Sequence, residues 1–429
     1  MVGLLVRRAA RAGAVLVVAG LAGATLPAGG AQALVRPAGS ARPAVGQAAK
    51  TFGVLKSVYC TSVASCWAAG YRGTLGNAEV NQMLHWNGRR WYRVSVPVVG
   101  GTGFSAASAL TAVRCTTAKD CWAVGYVRRG NLLENQALHW NGRRWSAVRT
   151  PEPGGLKQGE VSELFDVTCA AAASCWAVGD FGETAGTSVK LLNQVLHWNG
   201  KRWSQVHVAN PGGTTTMHVS SLRAVRCGSA RNCNAVGLVQ LLANSVSKNE
   251  ALHWNGRRWS LARVPDPAGT SHADVNSVTA LACGAAANCW AAGATGTATP
   301  AAVRNQLLHW NGRSWTKATA PSPNAGTAGV EDVLAGATCS STRNCWAVGQ
   351  QTIEGDMAAT TSEALHWNGK RWSLVPVPSP GGSATGDTSI LSAVRCPAAA
   401  SCWAVGYKSD GGPLENEILY WNGGKWSVD

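Results

Sequence analysis

Short runs of apolar and β-branched residues recur along the whole chain, and clusters of Gly, Pro, Asn and Ser separate them. In one representative stretch the runs cover residues 110–115, 121–126, 135–140 and 143–148. Runs of this length with such boundaries are typical of β-strands, and no helical periodicity is sustained between them. The pattern therefore predicts four strands per stretch, which we label A to D in chain order.

Cysteine and tryptophan divide the chain into seven copies of this stretch. The first cysteines of successive Cys-x5-Cys pairs are 55, 54, 58, 56, 56 and 57 residues apart. The seven pairs are Cys60 and Cys66, Cys115 and Cys121, Cys169 and Cys175, Cys227 and Cys233, Cys283 and Cys289, Cys339 and Cys345, and Cys396 and Cys402. Three tryptophans recur per copy, and one lapse, at Asn234, leaves 20. This period predicts an all-β, seven-bladed β-propeller with four antiparallel strands per blade.

The first 33 residues have the features of an export signal. Arg7, Arg8 and Arg11 precede an apolar run over residues 14–26, and an Ala-x-Ala site ends at Ala33. The run is shorter than the roughly 20 residues that span a bilayer, so we predict a secreted, extracellular protein with no membrane span. The predicted domains are a signal peptide at 1–33, a flexible segment at 34–50 and the propeller at 51–429.

Each cysteine pair flanks the turn between strands A and B, so we predict one intrablade disulfide per blade. In the chain-entropy model, closing a loop of about seven residues stabilises the fold by roughly 2 kcal/mol. Metal binding is the alternative. It is disfavoured because no second pair lies at ligand spacing and the chain is predicted to be exported.

An Asn-Gly dipeptide follows strand C in every copy and predicts a two-residue type I′ hairpin, which needs positive φ at both central positions. In the second copy this turn places Trp140 opposite Arg143. It also places Leu138 opposite Trp145, so Leu138, Trp140 and Trp145 share one face. We expect that face to pack against the neighbouring blade, because a four-stranded unit cannot bury both faces alone.

The first copy starts at strand A near Leu55, and the last ends at strand D near Trp426. We therefore predict that each blade is one copy and that the chain ends exchange no strand. The A–B and C–D connections are short, whereas the B–C and D–A connections, such as 180–192 and 150–165, are long. One face is then uniform and stapled, and we expect binding residues among the long loops of the other.

The units Cys-Trp-Ala-Val-Gly at 121–125 and Leu-His-Trp-Asn-Gly-x-x-Trp at 138–145 resemble the repeats of secreted actinobacterial β-propellers. The hairpin is similar in place to the Asp-box turn of sialidase-type blades. A stand-alone exported seven-bladed propeller also resembles the lectin subunit of the umbrella toxin particles. That resemblance implies a non-enzymatic, lectin-like carbohydrate-binding subunit that docks on a larger extracellular or toxin-particle scaffold.

The net charge of the chain limits the classes of partner that we expect it to bind. Removing the three leader arginines lowers the formal charge from +16 to +13, which favours a glycan or anionic cell-surface polymer, or an acidic scaffold protein. Nucleic acid is not expected because the leader directs the chain out of the cell. Cations follow the Asn-Gly turn in every copy, first at Arg89, Arg143, Lys201, Arg257, Arg313, Lys370 and Lys425. They form either a cationic ring for polyanions or protection of the edge strand.

Histidine occupies one repeat position in six copies and Tyr420 takes it in the seventh, at His85, His139, His197, His253, His309 and His366. Since a tyrosine substitutes, we interpret this position as a packing ring with a hydrogen-bonding tip. The polar pair before it, Asn-Gln in most copies, either binds sugar hydroxyls or ends the loop into strand C. His207, His218 and His272, outside the repeat, are the better functional candidates.

Catalytic signals are few. The chain has no His-Glu-x-x-His, Gly-x-Ser-x-Gly or phosphate-loop motif, and no carboxylate pair recurs. We therefore expect no catalytic residues, no cofactor and no metal, and interpret the chain as a binding protein and not an enzyme. The alternative is a sialidase-like or other glycan-processing propeller enzyme, with single acids and arginines supplied by its loops.

Overall fold

The computed structural model describes residues 51–429 except 75–77, 102–105, 186–187, 299–300, 326, 328 and 353–358. The described chain belongs to one compact unit, Thr51–Asp429. The signal peptide and the segment predicted at 34–50 lie outside the described residues. Within the described part, no helix is long and apolar enough to cross a membrane.

Seven units of four antiparallel strands follow one another, which confirms the all-β prediction. Units 1 to 3 contain β1 (Thr51–Ser62), β2 (Ser65–Thr74), β3 (Val80–Trp86), β4 (Trp91–Arg93); β5 (Ala106–Thr117), β6 (Asp120–Arg129), β7 (Leu132–Trp140), β8 (Trp145–Ala147); and β9 (Glu160–Ala171), β10 (Ser174–Ala185), β11 (Ser188–Trp198), β12 (Trp203–Gln205). Units 4 and 5 contain β13 (His218–Ser229), β14 (Asn232–Leu241), β15 (Val246–Trp254), β16 (Trp259–Leu261); and β17 (Asp274–Ala285), β18 (Asn288–Ala298), β19 (Ala301–Trp310), β20 (Trp315–Ala318). Units 6 and 7 contain β21 (Asp332–Ser341), β22 (Asn344–Thr352), β23 (Thr360–Trp367), β24 (Trp372–Leu374); and β25 (Thr388–Ala398), β26 (Ser401–Ser409), β27 (Glu415–Trp421), β28 (Trp426–Val428). A 3-10 turn at Leu242–Asn244 joins β14 to β15.

Short parallel pairs join some neighbouring units. Leu133 of β7 pairs with Val161 of β9, and Thr360 of β23 pairs with Thr388 of β25. Such pairs merge units 2 to 4 into a twelve-stranded sheet and units 6 and 7 into an eight-stranded sheet, while units 1 and 5 are separate sheets. No one of these four sheets closes on itself.

Strands A and B extend beyond the apolar runs that predict them. In unit 3, β10 continues to Ala185 and β11 begins at Ser188, so most of the connection predicted as a long loop is a hairpin. Its polar residues pair across the strands, since Glu183 lies opposite Lys190 with 3.0 Å between Oε1 and Nζ. Cross-strand charge pairs support a hairpin without an apolar signature.

The predicted register of the C–D hairpin is wrong. Trp140 pairs with Trp145 and not with Arg143, and strand D is only Trp145–Ala147. The shift is two residues, and an even shift leaves every side chain on its predicted face. Leu138, Trp140 and Trp145 therefore still share one face, and they pack in one cluster with Trp67 of the neighbouring unit.

The turn has four residues because the asparagine side chain caps it. Asn141 Oδ1 accepts hydrogen bonds from the backbone N–H groups of Arg143 and Arg144, both at 3.0 Å. Only Gly142, with a φ of 88°, enters the left-handed region. An Asx-type cap of this kind needs one positive φ, whereas the predicted type I′ turn needs two.

All seven predicted disulfides are present, and each links strands A and B of one unit. The bonds join Cys60 to Cys66, Cys115 to Cys121, Cys169 to Cys175, Cys227 to Cys233, Cys283 to Cys289, Cys339 to Cys345, and Cys396 to Cys402. No free cysteine occurs in the described residues.

The predicted absence of strand exchange is also confirmed. At the start of the described chain β1 pairs with β2, and at its end β28 pairs with β27. The repeat in the sequence and the structural unit therefore have the same boundaries.

Tryptophan joins each unit to the next. The strand-B tryptophan of one unit packs against the strand-C and strand-D tryptophans of the following unit, as Trp67 does with Trp140 and Trp145 at 5.0 and 5.3 Å between ring centres. Trp403 of unit 7 makes the same contacts with Trp86 and Trp91 of unit 1, at 4.7 and 5.2 Å. The equivalent strand-B tryptophans are Trp122, Trp176, Trp290 and Trp346. Unit 4 has Asn234 here, and its His253 packs against Trp310 instead.

The polar pair that precedes the repeated histidine lies within strand C and makes a second connection between units. Gln306 Nε2 donates to Asn249 Oδ1 of the preceding unit at 3.0 Å. Asn305 Nδ2 donates to Glu363 Oε1 at 2.6 Å, and Asn193 Nδ2 donates to Glu250 Oε1. These residues are buried between units, so this pair is structural and does not present its amides to a sugar.

Candidate functional site

The seven A strands surround a cavity of about 150 Å³, the central cavity, and every one of them supplies lining residues. The pairing of each A strand with its B strand skips one residue, as at Lys56 between Leu55 and Ser57. Such a bulge redirects the unpaired side chain. The seven bulge residues all line the cavity: Lys56, Thr111, Phe165, Arg223, Thr279, Ala335 and Ser392.

The wall of the central cavity has two unlike sides. Units 5 and 6 contribute small side chains, among them Ala280, Ala282 and Gly336. The other units contribute the five cations Lys56, Arg114, Arg223, Arg226 and Arg395. Among the lining residues that the structure describes, the one carboxylate is Asp166.

Three arginines occupy the same repeat position, directly before the first cysteine of units 2, 4 and 7. We call Arg114, Arg226 and Arg395 the arginine trio. The guanidinium carbons of Arg114 and Arg395 lie 5.0 and 4.5 Å from the centre of the Tyr59 ring. Arg226 pairs with Asp166, whose Oδ2 also accepts from the Val225 backbone N–H at 2.9 Å. The trio thus converges on one aromatic ring and one carboxylate.

Electrostatics within the trio is unfavourable. Burial lowers the pKa of Arg114, Arg226 lowers it further, and Asp166 acts in the opposite direction. Burial likewise lowers the pKa of Arg395, with Arg226 again a contributor. A guanidinium stays protonated in proteins at neutral pH. The three like charges therefore repel one another in a partly buried site that holds one compensating carboxylate.

A buried carboxylate pair lies behind the cavity. Glu163 and Asp180 face each other across β9 and β10 and are fully buried. Asp180 Oδ2 accepts from Ser221 Oγ at 2.6 Å and lies 4.0 Å from Nη2 of the cavity residue Arg223. Burial, followed by the charge of Asp180, raises the pKa of Glu163 to about 8. Sequence analysis missed this pair because it occurs in one unit and belongs to no repeat.

Tyrosines take the place of Asp180 in units 7, 1 and 2. Burial raises the pKa of Tyr407, Tyr71 and Tyr126 above its ordinary value. Lys56 Nζ lies 5.5 Å from the ring centre of Tyr407, and burial lowers the pKa of Lys56 although Glu79 opposes the change. The cavity residue Lys56 thus lies against an aromatic ring of strand B.

The A–B and C–D turns lie together, and we call the surface they form the stapled face. Trp140 Nε1 donates to the Ala118 carbonyl at 3.2 Å, which ties the C–D turn to the A–B turn. The predicted cationic ring is exposed on this face: Arg89, Arg143, Lys201, Arg257, Arg313, Lys370 and Lys425. These residues lie in the turn before strand D, and both interpretations, a cationic ring for polyanions and protection of the edge strand, stay predictions.

Charge is strongly segregated on the stapled face. The C–D turns carry twelve cations and the A–B turns add Lys119, Arg231 and Arg343. Of the acidic residues that the structure describes, only Asp120, the first residue of β6, borders these turns, and its Oδ1 lies 2.6 Å from His139 Nε2.

The repeated histidines have a packing role, as predicted. His85 stacks on Trp67 with 4.2 Å between ring centres, and His366 Nε2 bonds to Asn344 Oδ1 of the A–B turn at 2.9 Å. Burial lowers the pKa of His85 and His366, so both are neutral at pH 7. His207 and His272 are exposed and His218 bonds to Thr215, and the structure brings none of these three into the cavity.

No protein-family model matches the chain, and no curated protein does. Among solved structures, it resembles the GH74 xyloglucanase from Xanthomonas campestris, with a TM-score of 0.50, 12% identity and coverage of 88% of this chain and 55% of that one. It also resembles a polysaccharide lyase of family PL25, an ulvan lyase, with a TM-score of 0.50, 11% identity and coverage of 89% and 98%. The β-propeller domain of the Trilobed protease from Pyrococcus furiosus has a TM-score of 0.47, 8% identity and coverage of 88% and 97%.

These likenesses extend to the fold alone, and the chain spans about half the length of the xyloglucanase. They nevertheless contradict the prediction of a protein that is not an enzyme, because two of the matching structures are polysaccharide-processing enzymes. The prediction relied on short motifs, which do not detect a group of single residues from several units such as those that line the central cavity.

Proposed function

We propose that the chain is a secreted seven-bladed β-propeller that binds and processes an anionic polysaccharide. Ring closure is supported by the contacts of Trp403 with Trp86 and Trp91, which repeat between units 7 and 1 the packing that joins the other units. It is also supported by one cavity lined from all seven A strands. Export is supported by the leader and by seven disulfides, which form in oxidising compartments.

The proposal of an anionic substrate rests on the charge of the stapled face. Its turns contain fifteen cations, and among the described acidic residues only Asp120 borders them. Lone surface charges contribute little, but a uniform field over a face concentrates a polyanion and speeds its binding. The cations are also well positioned. Asparagine caps fix the backbone of every C–D turn, as at Asn87 and Asn199, so the turns lose little conformational entropy when a polymer binds.

The processing step is assigned to the central cavity. Cleavage of a sugar chain requires a group that takes or gives a proton, most often a carboxylate. Asp166 is such a carboxylate and lines the cavity beside the trio. The likeness to the xyloglucanase and the ulvan lyase supports a carbohydrate-processing enzyme over a binding protein without catalysis.

The test compares three purified proteins on a polyuronate, a sulfated polysaccharide and neutral xyloglucan. Product is followed by new reducing ends, and the absorbance of unsaturated uronates distinguishes elimination from hydrolysis. The ring variant carries Arg89→Ser, Arg143→Ser, Lys201→Ser, Arg257→Ser, Arg313→Ser and Lys370→Ser. The matched control removes six exposed cations outside these turns: Arg93→Ser, Arg149→Ser, Lys157→Ser, Arg263→Ser, Arg304→Ser and Lys317→Ser.

We expect the parent and the control to bind and cleave an anionic polymer, and the ring variant to bind it far more weakly at low salt. Both variants lose the same net charge, so an equal loss in both would contradict a role for this face. Asp166→Asn should abolish turnover and retain binding. Failure of the parent to cleave any of the anionic polymers would overturn the enzymatic assignment.

A further inference from the structure

We infer that the central cavity binds the anionic substituent of a single sugar unit, with the arginine trio as its ligands. The inference rests on the proposed function and identifies where one unit of the polymer is recognised. The trio is separate from the cationic ring, because its members lie on strands A and line the cavity, whereas the ring lies on exposed turns.

The first support is charge balance within the cavity. The three guanidinium groups of the trio meet only Asp166 among the lining residues that the structure describes, which leaves two positive charges in excess. Like charges held together out of water destabilise a fold unless an anion compensates them. Core residues of this kind are costly and are typical of binding sites.

The second support is the presentation of the donors. The guanidinium carbons of Arg114 and Arg395 lie over the Tyr59 ring, and a guanidinium held by the face of a ring leaves N–H groups free to point at an acceptor. Arg395 Nε is buried and has no hydrogen-bond partner in the described protein. Guanidinium groups bind carboxylates and related oxyanions through paired hydrogen bonds.

The third support is space. The wall opposite the trio is formed by Ala280, Ala282 and Gly336, and the cavity of about 150 Å³ has room for several water-sized groups. A carboxylate or a sulfate fits such a volume together with part of the sugar ring at the end of a polymer. A carboxylate and a sulfate on a sugar are both oxyanions, so both have the chemistry that the trio would bind.

The experiment measures thermal unfolding and calorimetric binding of the full mature chain with sodium glucuronate, sodium sulfate and neutral glucose. We expect glucuronate or sulfate to raise the unfolding temperature, because a ligand that binds only the folded state stabilises it. The ratio of the two effects identifies the substituent. Glucose should have no effect, and indifference to both anions would overturn the inference.

Two variants address the residues. In the double variant with Arg114→Gln and Arg395→Gln, the affinity for the acidic probe should fall by at least about tenfold, as loss of charge-assisted hydrogen bonds requires. Arg114→Lys keeps the charge but loses the paired donors, so it should also weaken binding, and it covers the case in which the double variant fails to fold. The control with Arg149→Gln and Arg263→Gln, two exposed cations outside the trio and the cationic ring, should bind the small probe like the parent.

The outcomes separate this inference from the proposed function. If the trio variants retain probe binding and turnover while the ring variant loses polymer, the cavity assignment is wrong and the proposed function stands. If the parent binds glucuronate or sulfate through the trio but neither holds nor cleaves any polymer, the cavity site stands and the proposed function is wrong.

Discussion

Replacing Glu250 by glutamine should remove much of the pH dependence of stability at one interface between units. Glu250 is buried and accepts a hydrogen bond from Asn193 of the preceding unit. Burial raises the pKa of Glu250 to about 8. Four units have glutamine at this position, and Gln306 bonds to the corresponding asparagine, with its Nε2 donating to Asn249 Oδ1 at 3.0 Å. Glu250→Gln is thus a substitution that the repeat already accommodates.

The sign follows from proton binding. An unfolded glutamate releases its proton near pH 4.5, whereas the folded Glu250 holds it to about pH 8. Between these values the folded state binds more protons than the unfolded state, so stability is highest below pH 4.5 and falls as the pH rises toward 8. One proton corresponds to a slope on the order of 1 kcal/mol per pH unit.

Urea unfolding followed by tryptophan fluorescence at pH 5, 6, 7 and 8 measures this slope. The free energies of unfolding of the parent and of Glu250→Gln should be similar at pH 5. With each further pH unit the variant should gain on the order of 1 kcal/mol of stability relative to the parent. The control Glu183→Gln removes a carboxylate that is 57% exposed, and it should leave the slope of the parent. Parallel curves for Glu250→Gln and the parent would refute the reasoning.

Two further substitutions, each with a control substitution, test the interfaces and the turns. Trp403→Ala removes the contact of unit 7 with Trp86 and Trp91 and should cost about 3–5 kcal/mol in urea unfolding. Asn234→Ala, at the position where the repeat lacks tryptophan, should cost much less, and equal losses would argue against ring closure. Gly142→Ala forces a left-handed backbone on alanine at a φ of 88° and should cost about 1 kcal/mol, whereas Gly424→Ala in a turn without that requirement should be nearly neutral.

The repeat made most of the fold predictable. Cysteine spacing predicted the disulfides, and the recurrence of Trp140 and Trp145 predicted the face that packs on the preceding unit. The turn register was not predictable from Asn-Gly, because the choice between a two-residue and a four-residue turn depends on whether the Asn141 side chain caps the backbone. The dipeptide favours both forms.

Most of the candidate site could not be predicted from the sequence, and the reason is physical. A repeat emphasises what its copies share, whereas the central cavity is built from positions where they differ. The residue before the first cysteine is Tyr59 in unit 1 and an arginine in units 2, 4 and 7, but it is small in units 3, 5 and 6. Comparing the copies position by position, and asking which variable positions lie on strand A, is the signal that would have found the trio.

The segregation of charge follows from how the acidic residues are used. Glu152 accepts from the Asn135 backbone N–H at 2.8 Å, and Asp266 accepts from that of Asn249 at 2.7 Å. Asn210 makes the same bond to Asn193 in unit 3. Ser322 and Ser379 accept the equivalent bonds in units 5 and 6.

Since neutral residues perform this task equally well, these two acids are structural acceptors in the D–A connections and not a second binding surface. The cations of the stapled face have no such internal task. Their field therefore stays directed outward, and it should turn the molecule so that this face meets a polyanion first.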